Sequence, residues 1–479
     1  LKKLRLQWPE SAVIHLKHGT TVATNAVLEH RGARTGLITN AGFEDILRLG
    51  RQDRSDLYAL HPIKPRPLVP RERILGLSGR YNYLGEQIEP TEALDAFIKR
   101  HYATLASMDS IAISTLHGYA YGAMEMALAE RIKTVFPGLF VATAHKLAPV
   151  LREFERTSTV VINAFVGPKM EAYLSRLTSL FGQIAPEGST LEIMGSSGSL
   201  LPFEQARAEP IHTVLSGPAG GVRGAFMVGQ ELGLKHLLTV DMGGTSTDVA
   251  VVDGQLLPID EGALAHHPIR VPILPIETVG AGGGSIAFLD EGGALRVGPR
   301  SAGALPGPAC YGQAGPDAEP TVTDANVVLG RLNSLLGGTF ELDSKASFAA
   351  VTSLAKNAET TVNACAEAII ATAEANMIRA CKRVLMDRGA DSKLFTLVGF
   401  GGAAGLHGCA IADALECPRV LFPNKAGVLS AQGILDAPEE RACTTPILAL
   451  RSQLSAERYT ALMEQAYETV LRTLDTPDH

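Results

Sequence analysis

The chain of 479 residues lacks several features that define whole classes of protein. Its six cysteines form no Cys-x-x-Cys pair, which argues against a zinc site or a disulfide framework and predicts reduced thiols in a cytoplasmic protein. No apolar run approaches the ~20 residues that span a membrane, and the first ten residues lack the apolar core of a signal peptide. The net charge is −7 and no basic block occurs, so nucleic acid is not expected as a partner.

The composition that is present is typical of a globular protein. Hydrophobic residues make up 46% of the chain, which is enough for a large buried core. The length favours two or three domains. Helical and strand patterns alternate, which predicts an α/β fold with parallel strands covered by helices.

The clearest chemical signal lies in Leu237–Asp253, which reads LLTVDMGGTSTDVAVVD. Two apolar runs flank a Gly-Gly-Thr-Ser-Thr turn, which predicts a β-hairpin with Asp241 and Asp248 on either side of its tip. Glycines lack a β-carbon, so their amides can approach an anion closely, and the hydroxyls add donors. The turn therefore predicts a phosphate site; the alternative is a glycine-rich hairpin with a solvated tip.

The two acids of this hairpin suggest a metal ion. Two carboxylates beside a phosphate would repel it unless a cation lies between them. Asp241 and Asp248 therefore imply Mg²⁺, held partly through water. The candidate phosphate ligands of the turn are Gly243, Gly244, Thr245 and Thr247.

Two further segments combine glycine or threonine with a strand-to-helix turn. His18-Gly-Thr-Thr follows a predicted strand at 12–16 and precedes a predicted helix at 22–30, where the threonines could equally be simple helix caps. A second turn, GFGGAAGLHG from Gly399, lies between a predicted strand at 393–398 and a helix that runs to about Leu415.

These segments together carry a family resemblance. DMGGTSTD, HGTTVATNA and GFGGAAGLHG, in their order along the chain, resemble the hydantoinase A / 5-oxoprolinase family. That family includes the ATP-binding subunits of N-methylhydantoinases, caprolactamases and acetone or acetophenone carboxylases. The resemblance covers about residues 15–436 and implies two actin-like (ribonuclease H-like) ATPase domains around a central cleft. It implies domains at 1–200 and 201–440, with the start of a third at 441–479.

The resemblance also implies an activity and a set of site residues. We expect ATP and Mg²⁺ as cofactors, with ATP phosphorylating the carbonyl oxygen of a cyclic amide or of a ketone. In that scheme Asp241, Asp248, His18 and Thr20 are the catalytic candidates, and the glycines of the second turn hold the adenosine. Those glycines are Gly399, Gly401, Gly402 and Gly405. The substrate candidates are Thr21, Asn25, Arg51 and Arg54, with Gln52 in the same family signature as the arginines.

The chain departs from the family pattern at both ends. The family's other Asp-Gly-rich hairpin, which precedes the HGTT segment, does not occur here, and little of the C-terminal domain follows Asp436. We therefore expect a fragment or a truncated, inactive member, with an uncovered apolar face as a liability for solubility. A hydantoinase B-type subunit is the implied partner, and an oligomer is expected.

Two rival functions are weighed against this one. Gly399-x-Gly401-x-x-Ala404 resembles a dinucleotide fingerprint, but the next strand ends in Pro423-Asn-Lys without the acid that would hold a ribose. A non-enzymatic scaffold is the other rival. Gly195-Ser-Ser-Gly-Ser is not a serine-hydrolase elbow, because position 199 is serine.

The sequence also predicts the structural roles of several other residues and segments. The Arg- and Pro-rich residues 50–90 predict a long irregular connection, and Gly32 fits a helix C-cap. Cys310 is interpreted as a bystander thiol, and His407 faces either the cleft or a helix-end packing contact. The apolar positions of residues 362–388 predict a long helix, namely Ile369, Ile370, Ala373, Met377, Cys381 and Val384.

Overall fold

The computed structural model of the chain describes residues 12–53, 58, 60–61, 65–315 and 317–474. Arg54 therefore lies outside the described residues. Strands and helices alternate through these ranges, and the predicted α/β class is confirmed. No helix in the described ranges is long and apolar enough to cross a membrane.

The strands are β1 (His15–His18), β2 (Thr35–Asn40), β3 (Ile74–Leu77), β4 (Arg80–Tyr81), β5 (Gln87–Glu89), β6 (Ser110–Ile113), β7 (Phe140–Thr143), β8 (Thr190–Met194), β9 (Leu200–Pro202), β10 (His236–Met242), β11 (Thr247–Asp253), β12 (Gly262–Leu264), β13 (His267–Ile269), β14 (Ile276–Val279), β15 (Ser285–Leu289), β16 (Leu295–Ser301), β17 (Ser334–Leu335), β18 (Phe340–Glu341), β19 (Thr396–Phe400) and β20 (Arg419–Leu421).

The α-helices are Val22–Leu28, Ile46–Leu49, Leu94–Arg100, Tyr102–Ala106, Ala123–Val135, Ala144–Leu147, Glu153–Gly182, Phe203–Ala208, Ser216–Glu231, Val322–Val328, Ser344–Asn357, Val362–Asp387, Ala404–Leu415, Leu429–Leu435 and Ala456–Leu474. Short 3₁₀ helices lie at Arg71–Arg73, Pro210–Thr213, Ala309–Tyr311, Leu336–Gly338, Ser392–Leu394, Ala426–Val428 and Arg451–Gln453.

The contacts divide the chain into two compact units. Unit 1 comprises residues 1–217, 258–274 and 437–479, and unit 2 comprises residues 218–257 and 275–436. The chain thus enters unit 1 three times. The domain boundaries proposed near residues 200 and 440 stay predictions.

Unit 1 contains a parallel four-stranded sheet in the order β3-β2-β6-β7 and a three-stranded sheet in the order β1-β8-β9. The helix Glu153–Gly182 is buried along most of its first half, including the polar residues Thr157, Thr159 and Asn163. It packs on β6 and β7. The Thr159 side chain donates to the Glu155 carbonyl oxygen at 2.7 Å, and the Thr157 hydroxyl lies 2.8 Å from that of Ser114.

Unit 2 is built on a mixed five-stranded sheet in the order β14-β11-β10-β19-β20. The β10–β11 pair is antiparallel, and β19 and β20 run parallel to β10. The helix Val362–Asp387 packs its apolar side on this sheet, and every position predicted to be apolar and inward is buried. Thr361 caps its N-terminus through the Ala364 amide, and Gly389 ends it with φ of 60°.

Two expectations from the sequence are wrong, each because of a contact with a segment that is distant in sequence. Residues 50–90 are not irregular throughout, because Ile74–Leu77 forms a strand that pairs with β2 inside the parallel sheet. Gly32 is not a C-cap, since the first helix ends at Leu28 and Glu29 is its capping residue. Gly32 is required by packing instead: a β-carbon there would lie 2.3 Å from the Phe165 ring.

Candidate functional site

The predicted hairpin is confirmed as β10 and β11. Asp241 and Asp248 are direct cross-strand partners, and Met242 pairs with Thr247 next to the turn. The turn closes with a hydrogen bond from the Gly243 amide to the Ser246 carbonyl oxygen at 3.1 Å. Two carboxylates thus face one side of the sheet at the neck of a glycine-rich tip.

The electrostatics of this acid pair are unfavourable for two free anions. Burial, and then the charge of Asp248, raise the pKa of Asp241 to about 6, although a hydrogen bond from Ser430 acts in the opposite direction. Burial also raises the pKa of Asp248, against a hydrogen bond donated by Thr278. A cation bound between them would relieve both effects.

The donor chemistry of the pair fits Mg²⁺, which prefers carboxylate oxygens together with water and phosphate oxygens. No group of three or more histidine, cysteine or acidic side chains suited to a metal occurs among the described residues. A cation at Asp241 and Asp248 would therefore take its remaining ligands from a phosphate and from water.

The tip residues differ in how accessible they are. Gly244 and Thr245 are exposed, and Gly243 is partly buried. Thr247 is fully buried, and its hydroxyl donates to the Ala281 carbonyl oxygen and contacts the Met377 sulfur at 3.4 Å. The phosphate roles of these residues stay predictions, but the Thr247 hydroxyl is already engaged inside unit 2.

The second glycine turn lies beside the hairpin in the same unit. Asp241 pairs with Phe400 across β10 and β19, and the Ala403 amide donates to the Met242 carbonyl oxygen at 3.0 Å. Gly402 and Gly405 are exposed, whereas Gly399 is buried against Phe422. The structure therefore brings the hairpin acids and the predicted adenosine turn together.

A third glycine segment supports the tip. Gly282–Gly284 lies between β14 and β15 and leads into a strand, not into the helix that a dinucleotide fingerprint needs. Its amides bond to the tip: Gly283 to the Gly243 carbonyl oxygen at 3.0 Å and Gly284 to that of Gly244 at 2.6 Å. Three consecutive glycines are the sequence signal that could have revealed this close approach.

His407 and Cys310 take structural positions in unit 2. His407 is buried one turn into its helix, and its Nδ1 lies 3.0 Å from Glu374. Cys310 is buried, and burial together with the nearby Asp324 raises the pKa of its thiol to about 12. A thiol that stays protonated is a poor nucleophile, which supports the bystander interpretation.

The HGTT residues belong to unit 1. The Nε2 atom of His18 lies 2.5 Å from the Tyr173 hydroxyl, and burial lowers the pKa of the imidazole. Thr20 is buried, and its carbonyl oxygen accepts from the Ser216 hydroxyl at 3.0 Å. Thr21 is the N-cap residue of the first helix and Asn25 lies in its first turn, and both are exposed. The catalytic and substrate roles of these residues stay predictions.

Arg51 lines a cavity of about 270 Å³ in unit 1. Its guanidinium bonds to Glu155, which is 3% exposed, and to Glu261 from a distant part of the chain. Glu261 also accepts from Arg270 at 3.2 Å. Leu47, Leu68, Phe154 and Val161 also line the cavity, together with polar residues such as Asp53, Ser158 and His266. Sequence reasoning missed Glu261, because no local pattern marks an acid whose partner is 210 residues away.

Two protein-family models match this chain. The model described as Hydantoinase/oxoprolinase matches residues 156–440, and the model of the Hydantoinase/oxoprolinase N-terminal region matches residues 1–136. Caprolactamase subunit alpha of Pseudomonas jessenii is 35% identical over 465 residues, which cover 95% of this chain and 66% of the relative. The 5-oxoprolinase 1 of Arabidopsis thaliana is 34% identical over 89% of this chain and 36% of its own length.

Solved structures agree with the sequence comparison. The crystal structure of the ATP-dependent caprolactamase from Pseudomonas jessenii matches with a TM-score of 0.83 and 33% identity, covering 98% of this chain and 71% of that one. The nucleotide-free structure of acetone carboxylase matches with a TM-score of 0.81 and 26% identity, covering 95% and 67%. The chain thus spans about two thirds of caprolactamase subunit alpha and about a third of 5-oxoprolinase 1. Because one family model matches more than half of its residues, the chain belongs to the hydantoinase/oxoprolinase family.

Proposed function

We propose that this chain is the ATP-binding part of a cyclic amide hydrolase of the hydantoinase/5-oxoprolinase type. The observation that carries the proposal is the pair Asp241 and Asp248 at the neck of an exposed glycine tip, with both carboxyl pKa values raised. Such a pair suits Mg²⁺ beside a phosphate, and the names of two similar proteins support ATP use and lactam or oxoproline hydrolysis.

The architecture of unit 2 supports an actin-like ATPase domain. In its sheet, β10 of the hairpin pairs with the parallel strand β19, which ends in the second glycine turn. The hairpin tip and that turn therefore lie at the same end of the sheet. In the proposal the tip residues Gly243, Gly244 and Thr245 hold phosphate oxygens, and the turn at Gly399–Gly405 holds the adenosine. Two such domains are part of the proposal.

The proposed chemistry is activation of a carbonyl oxygen. An amide resists hydrolysis because its nitrogen donates electron density into the carbonyl group. Transfer of the γ-phosphoryl group from ATP to the carbonyl oxygen releases ADP, and loss of the amide proton gives an imidate phosphate. Water adds to its carbon and the C–N bond breaks with the nitrogen leaving as an amine. A second water hydrolyses the resulting acyl phosphate to the carboxylate and inorganic phosphate. The contribution of this chain is to position the nucleotide and to present backbone donors and the acid pair to its phosphates. Bound Mg²⁺ would supply charge neutralisation.

The remaining parts of the proposal concern partners. A hydantoinase B-type subunit would complete ring opening, which agrees with the name of the similar caprolactamase subunit alpha. Hydantoin, 5-oxoproline and other lactams are the candidate substrates. The candidate substrate residues in unit 1 are Thr21, Asn25, Arg51 and Arg54, and His18 and Thr20 are its catalytic candidates.

A second candidate is the ATP-using subunit of a ketone carboxylase. The similarity to the acetone carboxylase structure, with a TM-score of 0.81, favours it. The two candidates share the phosphorylation step and differ in the acceptor. ATP turnover with a B-type subunit should respond to cyclic amides in the first case, and to acetone or acetophenone with bicarbonate in the second.

The decisive experiment is calorimetric titration of the chain with Mg·ATP, with NADH as a control ligand. We expect ATP binding that is lost in Asp241→Asn and Asp241→Ala, and retained in Asp253→Asn. Asp253 is a matched control because it lies on the same hairpin but is exposed and paired with His236 at 2.6 Å.

Loss of binding in Asp241→Asn would not come from unfolding. Because ionisation of Asp241 is unfavourable in the folded chain, the neutral amide should be at least as stable as the wild type at neutral pH without Mg²⁺. If the Asp241 variants bind ATP with the same affinity as the wild type, the hairpin is not the phosphate site. If it binds NADH and not ATP, the hydrolase and carboxylase proposals both fail.

A further inference from the structure

Gly282–Gly284, here called the glycine pad, packs directly on the tip of the β10–β11 hairpin. A β-carbon at Gly282 would lie 2.6 Å from the Thr245 carbonyl carbon and 2.7 Å from the Ser246 nitrogen. A side chain at this position would therefore push the tip away. The pad amides of Gly283 and Gly284 donate to the Gly243 and Gly244 carbonyl oxygens.

These two hydrogen bonds fix the direction of two tip amides. The cis peptide bonds of the described chain are Gly298–Pro299 and Leu305–Pro306, so the tip peptides are trans. In a trans peptide the C=O and the following N–H point in opposite directions. Because the Gly243 and Gly244 carbonyls point into the pad, the N–H groups of Gly244 and Thr245 point away from it. Neither N–H has a hydrogen-bond partner among the described residues, and both residues are exposed.

The pad is itself held by one side chain. Thr323 donates twice to the Gly283 carbonyl oxygen, from its amide and from its hydroxyl, each at 2.7 Å. The helix that carries Thr323 is anchored next to it by a capping box between Thr321 and Asp324.

That helix is anchored through the side chain of Asp324. Asp324 is fully buried, and its carboxylate accepts hydrogen bonds from five donors. These are the amides of Ala309, Cys310 and Thr321 and the hydroxyls of Thr321 and Ser347, at 2.7–3.1 Å. A carboxylate with this many donors fixes its neighbours in place, so Thr323 meets the pad from a defined position.

We infer that Thr323 is a positioning residue, which acts through the glycine pad to aim the Gly244 and Thr245 amides at the phosphates of the nucleotide. The inference rests on the proposed function. It adds to that function an oriented pair of backbone donors and the side chain that sets their direction. Thr323 does not touch the nucleotide.

The test compares Thr323→Val, which removes the hydroxyl and keeps the shape and the amide, with Thr323→Ser, which keeps the hydroxyl. Loss of one hydrogen bond to Gly283 should weaken Mg·ATP binding about three- to tenfold in calorimetry. Thr323→Ser should restore the wild-type affinity. AMP, which lacks the β- and γ-phosphates, should bind the wild type and Thr323→Val equally.

Thr239→Val is the matched control. Thr239 is also a buried threonine of unit 2 whose hydroxyl donates to a backbone carbonyl, that of Ala250 at 3.2 Å, but it lies in the middle of β10. We expect unchanged ATP affinity in this variant. If Thr323→Val does not fold, Gly284→Ala serves instead, because its β-carbon would lie 3.0 Å from the Gly244 carbonyl oxygen and should displace the tip.

The outcomes separate the inference from the proposed function. Unchanged ATP binding in Thr323→Val, or an equal loss of ATP and AMP, would overturn the positioning role while leaving wild-type ATP binding in place. A wild type that binds no Mg·ATP would overturn the proposed function, and the inference with it.

Discussion

Gly401 lies against Asp241 so closely that a β-carbon at position 401 would be 2.3 Å from the Oδ1 atom of the carboxylate. Gly401 also has φ of 84°, a conformation that residues with side chains rarely adopt. The second glycine turn therefore constrains the acid at the neck of the hairpin by contact as well as by strand pairing.

We predict that Gly401→Ala displaces the Asp241 carboxylate and abolishes Mg·ATP binding in calorimetry. Gly389→Ala is the control, because Gly389 has φ of 60° with nothing within 4 Å of the added carbon. Backbone strain should lower the unfolding free energy of Gly389→Ala by about 1 kcal/mol. Gly401→Ala should lose more, because its β-carbon would also lie 2.6 Å from the Met242 carbonyl oxygen. Equal ATP affinity in the two variants would show that contact with Asp241 is unimportant.

A second prediction concerns the buried ion pair of unit 1. Arg156 and Glu125 are both fully buried with 3.4 Å between charged atoms, and Arg156 also bonds to Glu153 at 2.6 Å. Arg156→Met would leave Glu125 buried without its cation, so we expect a loss of about 3–5 kcal/mol in urea unfolding.

The control for this pair is Arg131→Met, whose partner Asp95 is exposed, and it should change stability by less than about 1 kcal/mol. Adding Glu125→Gln to Arg156→Met should recover part of the loss, since it removes the unpaired charge. A double variant less stable than Arg156→Met alone would contradict this account.

A third prediction concerns pH. Burial, followed by the charges of His30 and His266, lowers the pKa of His267 from 6.5 to about 4. The unfolded chain therefore binds a proton more readily than the folded chain, and stability falls as the pH drops from above 6.5 towards 4. This one group should remove about 2 kcal/mol between pH 7 and pH 5.

His267→Gln should reduce that acid sensitivity by the same amount in urea unfolding at the two pH values. His236→Gln is the control, since His236 is half-exposed and paired with Asp253. An identical pH dependence in the wild type and in His267→Gln would mean that other groups cause the acid sensitivity.

A fourth prediction concerns the helix Ala456–Leu474. Tyr459, Met463 and Tyr467 follow one another at four-residue spacing and are 47%, 51% and 64% exposed. An exposed apolar stripe of this kind favours self-association. Met463→Glu should reduce association in sedimentation velocity, whereas Thr469→Glu, off this stripe, should not. Equal association in both variants would exclude the stripe as its cause.

Local sequence patterns predicted the elements that depend on local chemistry. The hairpin was predictable because its polar tip separates two apolar runs that end in Asp241 and Asp253. The long helix of unit 2 was predictable because its apolar residues recur at helical spacing. The capping box between Thr321 and Asp324 also uses residues four positions or fewer apart, whereas the same acid anchors two further, more distant segments.

What sequence could not supply are contacts between distant segments. The strand Ile74–Leu77 is four residues long beside Arg71 and Arg73, and its burial depends on β2 of the parallel sheet. The partners of Arg51 and of the glycine pad are likewise remote in sequence. The three glycines of the pad could have indicated a close approach, but not which backbone would approach.

The assembly of unit 1 from three separate segments of the chain has a consequence for biosynthesis. The Lys17 ammonium donates to the Ala437 carbonyl oxygen at 3.4 Å across 420 residues, and the Leu200 amide donates to Pro438 at 2.8 Å. These partners leave the ribosome long after β1 and β9 have been translated. Unit 1, although it begins first, is therefore completed only after all of unit 2 has been translated, and β9 must wait for its last partner during that interval.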